Sequence, residues 1–483
     1  MIYRFTNNGY NIVLDIASGA IHLMDETAYN LLPQVELLIK NGTTDEEQII
    51  AFFKRLFADT LAKADANATE FKAISHVCEE MLTALSEILE LYREKLLFTE
   101  EDYEEYLKEV KNRPTVVKAL CLHVAHACNL KCRYCFADEG GYHGEHSLMD
   151  FSHGKRALDF LVENSGNRRN LEVDFFGGEP LLNWDVVKEL ITYGRSLEKA
   201  HNKVFRFTLT TNGVLLREEM FDFINREINN VVLSIDGRKE INDRMRPMHD
   251  GSGSYGVIID NFRKLAESRK QANYYVRGTF TRYNLDFTED VKHLADLGFK
   301  QISIEPAILT EPLSEADSEN DFAIRPLDIE AILHEYDRLA LEVIERYKAG
   351  EPINFFHFMI DLTGGPCVAK RLSGCGAGCE YLAVTPEGLL YPCHQFVGTK
   401  EFLLGNIDDG IQRNEICDKF KAVSVYTKPK CRECFARFYC SGGCAANADN
   451  LCGDLNDCDD LSCTLQRKRV ECAIMIKAFC MGG

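Results

Sequence analysis

Between residues 117 and 305 the sequence repeats one pattern, a short apolar run followed by a helix-length stretch of mixed polarity. The runs fall at 119–123, 171–176, 204–210, 230–235, 274–280 and 301–305. Short apolar strands alternating with helical segments predict a parallel sheet, with its chemistry in the loops at the C-terminal strand ends. The first 95 residues read differently. Strand patterns at 3–5, 12–15 and 20–23 are separated by turn signals at Asn7-Asn8-Gly9 and Ser18-Gly19, and helical patterns follow at 29–39 and 46–57. A few strands with a helix group predict a winged-helix-like module, whose sheet edge can take an extended peptide as one more strand. A Glu- and Lys-rich helix at about 99–110 leads out of it, and another helix is predicted at 328–347.

At 483 residues the chain is too long for one ordinary core, and a prior of about 100–200 residues per domain suggests three. The expected layout is a module at 1–95, a helical linker at 96–116, the strand-helix repeat at 117–310, a helical bridge at 311–366 and a cysteine-rich region at 367–483. A formal charge of −20 argues against nucleic acid as a partner, because neutralising phosphates needs a basic face. No apolar run approaches the roughly 18 residues of a membrane span, and no secretory leader is recognisable. The expectation is therefore a cytoplasmic chain with no membrane partner, whose nineteen cysteines are ligands or reduced thiols.

Cys128, Cys132 and Cys135, spaced x3 and x2 after the first predicted strand, carry the sharpest signal. Three thiolates at this spacing can hold three corners of a four-iron cluster and leave the fourth iron open to a substrate or cofactor. The competing reading is structural zinc, with His123 and His126 nearby, but zinc prefers four ligands in a compact knuckle and none completes the set locally. Gly177, Gly178 and Glu179 end the second predicted strand, where glycines allow close backbone approach and a carboxylate offers an anionic acceptor. Ser234 and Asp236 end the fourth. Arg277 on the fifth is expected to be buried by its pattern and so to need a carboxylate partner, with Glu305 as one candidate.

The cysteine spacing, Tyr134 before the last thiolate and the small residues after it resemble the cluster loop of the radical S-adenosylmethionine (SAM) superfamily. The resemblance implies an α/β fold with a partial (β/α)6 barrel, and it makes Cys128, Cys132 and Cys135 catalytic cluster ligands. It makes Tyr134 part of the cofactor site, assigns Gly177, Gly178 and Glu179 to the SAM amino group and Ser234 to its carboxylate, and sets Asp236 near the ribose, with the SAM carboxylate a second partner for Arg277. The implied chemistry is reductive cleavage of SAM to a 5'-deoxyadenosyl radical that abstracts hydrogen.

The series Cys431, Cys434, Cys440, Cys444 and Cys463, with Cys375 and Gly388-x4-Cys393 upstream, resembles the SPASM iron-sulfur extension of peptide-modifying radical SAM enzymes. By that resemblance Cys431, Cys434, Cys440 and Cys463 bind a distal auxiliary [4Fe-4S] cluster. Cys375, Cys393 and Cys444 bind a nearer one, completed by Cys379, by Cys367 or by neither, in which case the open iron can hold a substrate thiolate. Three clusters in all are implied. Sulfatase-maturating enzymes carry an aspartate proton acceptor directly after the residue matching Cys393, where this chain has His394. Cys121, Cys452, Cys458, Cys472 and Cys480 have no assigned role and are read as buried free thiols.

Stretches at 11–15, 119–136, 165–180, 276–281, 393–396 and 439–447 resemble the maturases of SCIFF peptides, which carry six cysteines in forty-five residues. The family joins cysteine sulfur to carbon, as in sactipeptides and ranthipeptides, and grips the precursor's leader with an N-terminal winged-helix RiPP recognition element. A reductant protein such as a flavodoxin or ferredoxin is implied. The alternatives are another SPASM enzyme, making carbon-carbon crosslinks or oxidising a sulfatase-type side chain, and a non-enzymatic zinc or iron-sulfur binding protein.

Overall fold

The computed structural model describes residues 1–63, 68–112, 116–308, 322–361 and 371–482. Its contacts divide the chain into two units, one formed by 1–106 with 360–368 and 470–483, the other by 107–359 with 369–469.

In the first unit β1 (Ile2–Asn7), β2 (Tyr10–Asp15) and β3 (Ile21–Met24) form an antiparallel meander in the order β1-β2-β3. The β1–β2 turn holds Asn8 at φ 48° and Gly9 at φ 85°, the left-handed region a tight hairpin needs. Three helices follow: α1 (Glu26–Lys40), α2 (Glu46–Lys63) and α3 (Ala68–Arg93). Asp25 caps α1 by accepting from the Ala28 amide at 2.8 Å. Val13 of β2, Leu31, Leu32 and Val35 of α1, Phe53 of α2 and Leu85, Ile88 and Leu89 of α3 close a single core. Each such side chain contributes about 1.5–3 kcal/mol on burial. The expected linker helix is shorter than its pattern, running Tyr103–Lys111 as α4.

The second unit is built on β4 (Ala119–His126), β6 (Asn170–Gly177), β7 (Val204–Thr211), β8 (Asn230–Ser234), β9 (Tyr274–Phe280) and β10 (Gln301–Pro306), with the two-residue β5 (Ser147–Leu148) against β4. The six long strands pair in parallel in chain order, β4-β6-β7-β8-β9-β10. Alternate positions such as Val173, Phe175, Phe207, Leu209 and Leu233 are fully buried, while Asp174, Thr208, Thr210 and Ser234 between them make the other face polar. The helix expected at 328–347 is observed as Ile329–Lys348.

The sheet also runs across the boundary expected at 367. Tyr381–Val384 pairs in parallel with β4, with Ala119 opposite Tyr381, and Leu389–Tyr391 then turns back antiparallel. β4 is thereby an interior strand, which is why all eight of its residues are buried. Among the described residues no helix is long and apolar enough to cross a membrane.

Candidate active site

The loop after β4 carries Cys128, Cys132 and Cys135, all half-buried. Its backbone is pinned from outside: the Lys131 amide donates to the Pro247 carbonyl and the Arg133 amide to that of Met245, both at 2.9 Å. The glycines of β6 are required by the same loop. A Cβ at Gly177 would lie 2.2 Å from the Ala125 oxygen, and one at Gly178 2.1 Å from the Ala127 oxygen. The Gly178 and Glu179 amides donate to those two oxygens at 2.8 Å. The Gly-Gly pair therefore serves strand-to-loop packing that no side chain would permit.

Glu179 is fully buried. Its carboxylate accepts from Thr211 Oγ1 and the Asn212 amide at 2.7 Å and from the Leu181 amide at 3.0 Å. Burial raises its pKa and these three donors oppose the rise. Asp236 is also fully buried and is pushed up to about 6 by that burial, against the pull of the Arg246 charge. It accepts from Tyr134 Oη at 2.7 Å and from the Thr279 amide at 3.0 Å, and Arg246 donates to Tyr134 Oη at 2.8 Å. Cys128, Cys132, Tyr134, Glu179, Ser234 and Arg246 share the wall of one cavity of about 160 Å³ at the C-terminal strand ends.

Arg277 departs from expectation. Its side chain is 57% exposed rather than buried, because β9 turns that position to the open polar side of the sheet, and its partner is Glu305 at 3.6 Å. Glu305 also faces His357 at 3.5 Å. Burial raises Glu305, but His357, Arg469 and Arg277 outweigh it and hold the carboxyl below its usual range. His123 and His126 pack against each other with a 3.1 Å contact between Nδ1 and Nε2, and burial lowers His126 to about 4. His394 is lowered to about 4 by burial and by the Arg277 charge, and its ring lies 5.0 Å from that of Phe176.

The C-terminal thiols fall into two groups. Burial pushes Cys393 up to about 12, and the nearby Cys444 and Cys375 add to it; the buried Cys121 of β4 also lies near Cys393. Cys379 donates to the Cys417 carbonyl at 3.3 Å. Cys367 lies outside the described residues. Cys431, Cys434, Cys440 and Cys463 form the second group, and Cys458 lies among them, with its Sγ 3.6 Å from that of Cys431. Of the thiols read as buried and free, Cys121 and Cys472 are buried, Cys480 is half-buried and Cys452 is exposed on a short helix that ends at it.

Residues 122–295 match the family model of the radical SAM superfamily. This segment is a radical SAM domain. The chain is 23% identical over 398 residues, 76% of each chain, to the radical SAM cyclopropyl synthase TigE of Paramaledivibacter caminithermalis. It is 24% identical over 342 residues, 68% of this chain and 88% of the other, to the cysteine-type anaerobic sulfatase-maturating enzyme of Clostridium novyi. The solved structure of native anSMEcpe with bound AdoMet and Kp18Cys peptide shares the fold at a TM-score of 0.60 and 21% identity, covering 76% of this chain and all of that one.

The superfamily's chemistry joins a [4Fe-4S] cluster to SAM, and the residues present fit both. Three thiols line one cavity wall, and glycines whose Cβ atoms would collide with the cysteine loop bring Glu179 to the same cavity. Among the described residues no three His, Cys, Asp or Glu side chains converge as a single bound ion requires. Asn212 and Arg246 were missed from sequence. Asn212 directly follows β7 and donates to the Asn129 side chain at 2.7 Å, so the rule that polar residues at strand ends carry chemistry would have found it. Arg246 follows a short helix, and nothing local announces that its charge returns to Tyr134.

Proposed function

We propose that the chain is a radical SAM maturase that installs intramolecular thioether crosslinks in a ribosomally made, cysteine-rich precursor peptide. The observation that carries this reading is the second neighbourhood of C-terminal thiols, Cys375, Cys393 and Cys444, while Cys379 donates instead to the Cys417 carbonyl. Where no further protein thiol joins these three, the last position of a cluster is open to a thiol of the substrate.

Cys128, Cys132 and Cys135 would hold the SAM cluster. Glu179 and Ser234 would hold the methionine end of SAM, and Asp236 with Tyr134 the ribose side. When bound, the pair supplies the electron transfer and carbon-sulfur cleavage that make a hydrogen-abstracting radical. The chain's residues orient the peptide, exclude water and receive protons. Thioether formation takes a hydrogen atom from carbon and a proton from sulfur, and returns one electron to the protein's redox groups. Glu305, held ionised against burial by His357, Arg469 and Arg277, is the acceptor at hand for the proton, since burial and the Arg277 charge oppose protonation of His394.

The SPASM-like cysteines would bind the two auxiliary clusters. The N-terminal unit would bind the leader, since neither β1 nor β3 pairs with a further strand among the described residues. Anaerobic incubation with precursor, SAM and a flavodoxin- or ferredoxin-type reductant should remove two hydrogens per crosslink and release 5'-deoxyadenosine. An unchanged precursor mass while SAM is cleaved would sink the substrate claim.

A further inference from the structure

Arg469 carries a charge into the interior that the described residues satisfy only in part. The residue is 6% exposed, and its Nε donates to Tyr336 Oη at 2.8 Å. Its Nη2 is shielded from solvent and has no hydrogen-bond partner among the described residues. A buried guanidinium without a counter-charge is expensive, so an anion belongs beside it.

Arg469 lines a cavity of about 190 Å³ together with Cys440, Cys444, Cys458 and Cys463. Three carboxylates share that wall, and each is held elsewhere. Glu305 faces Arg277 at 3.6 Å and His357 at 3.5 Å, Asp457 accepts from the Cys458 amide at 2.7 Å, and Asp459 accepts from the Ser462 amide at 2.7 Å. The helix Asp460–Gly482 brings Ser462, Leu465, Gln466 and Arg469 to the cavity at the spacing of one helical face. Ser462 Oγ is a second buried group on this wall with no partner among the described residues. Two unmet donors, one of them charged, therefore stand in a wall of thiols. A cluster held by thiolates is an anion of the kind they lack.

Resting on the auxiliary-cluster reading above, we propose that Arg469, with Ser462 as a weaker second donor, hydrogen-bonds to an auxiliary iron-sulfur cluster seated on this wall and raises its reduction potential. A reduced cluster carries one more negative charge than an oxidised one, so a fixed cation and hydrogen bonds to its sulfurs favour the reduced form. The cluster then accepts more readily the electron that thioether formation returns.

The test uses the full chain with Cys128, Cys132 and Cys135 replaced by Ala, so that only auxiliary clusters contribute, reconstituted anaerobically with and without R469Q, R469K or S462A. The readouts are iron content and the midpoint potentials from a redox titration followed by electron paramagnetic resonance. The parent should hold about eight irons per chain, for two four-iron clusters. R469Q should move one auxiliary midpoint to lower potential, S462A should move the same one by less, and R469K, which keeps the charge, should stay nearer the parent. Unchanged midpoints in R469Q at full iron would overturn the proposal, as would a fall in R469K as large as that in R469Q. Auxiliary iron lost from R469Q but held by R469K also follows from a missing counter-charge, whereas loss from both would mark Arg469 as part of the scaffold and overturn it. A parent without iron would instead overturn the auxiliary-cluster reading, and this inference with it.

Discussion

The two cysteine regions are built in opposite ways. The Cys128 loop is a contiguous motif on the end of an interior strand, clamped by its own amides donating to the Met245 and Pro247 carbonyls and by Gly177 and Gly178, which admit no side chain. The C-terminal thiols are scattered over some ninety residues of short helices and loops, from Cys375 to Cys463, and are gathered only by the fold. A group whose members share one loop is set by local spacing. A group assembled from distant loops is set by the fold, which brings Cys458 against Cys431 and sends Cys379 to the Cys417 carbonyl.

The comparison breaks most visibly at the clamped site. Replacing Cys132 by Ala should abolish 5'-deoxyadenosine release and remove about a third of the iron if three clusters are present, measured by chromatography and iron assay. Next comes Glu179→Ala, which leaves the Thr211 hydroxyl and the Asn212 and Leu181 amides without their buried acceptor. It should cost roughly 1–3 kcal/mol in denaturant unfolding and suppress SAM cleavage, whereas Cys379→Ala should leave both the fold and the iron content unchanged.

Asp236 gives a pH handle of comparable size. Its folded pKa of about 6 lies above the ordinary 3.8, so the native state binds more protons in that window and stability falls as pH rises from about 4 to 6. Two units correspond to about 3 kcal/mol. Asp236→Asn should flatten this part of the stability profile, and an unaltered slope would show that another group carries it. Arg277→Ala should have the smallest effect, less than about 1 kcal/mol, because its contact with Glu305 is long, at 3.6 Å, and Arg277 itself is mostly exposed. SAM affinity should be unchanged in that variant, and a large loss would return Arg277 to the SAM carboxylate.

Much of the barrel was legible, because a parallel sheet buries its strands so thoroughly that apolar runs mark them. The run at 274–280 coincides with Tyr274–Phe280. The same signal misled at Arg277, since flanking valine and glycine report the buried face of a strand but not where its other face opens. The helix Ala68–Arg93 went unread although Ile74, Cys78, Met81, Leu85 and Ile88 form a helical stripe facing Val13 and Phe53. The parallel pairing of Tyr381–Val384 with β4 was invisible, because register between segments more than two hundred residues apart leaves no local trace.

The most direct measurement uses a precursor deuterated at carbon, treated anaerobically with the reconstituted chain, SAM and reductant. The account predicts one deuterium carried into 5'-deoxyadenosine, and one fewer alkylatable thiol, for each crosslink formed. Unlabelled 5'-deoxyadenosine together with an unchanged thiol count would contradict it.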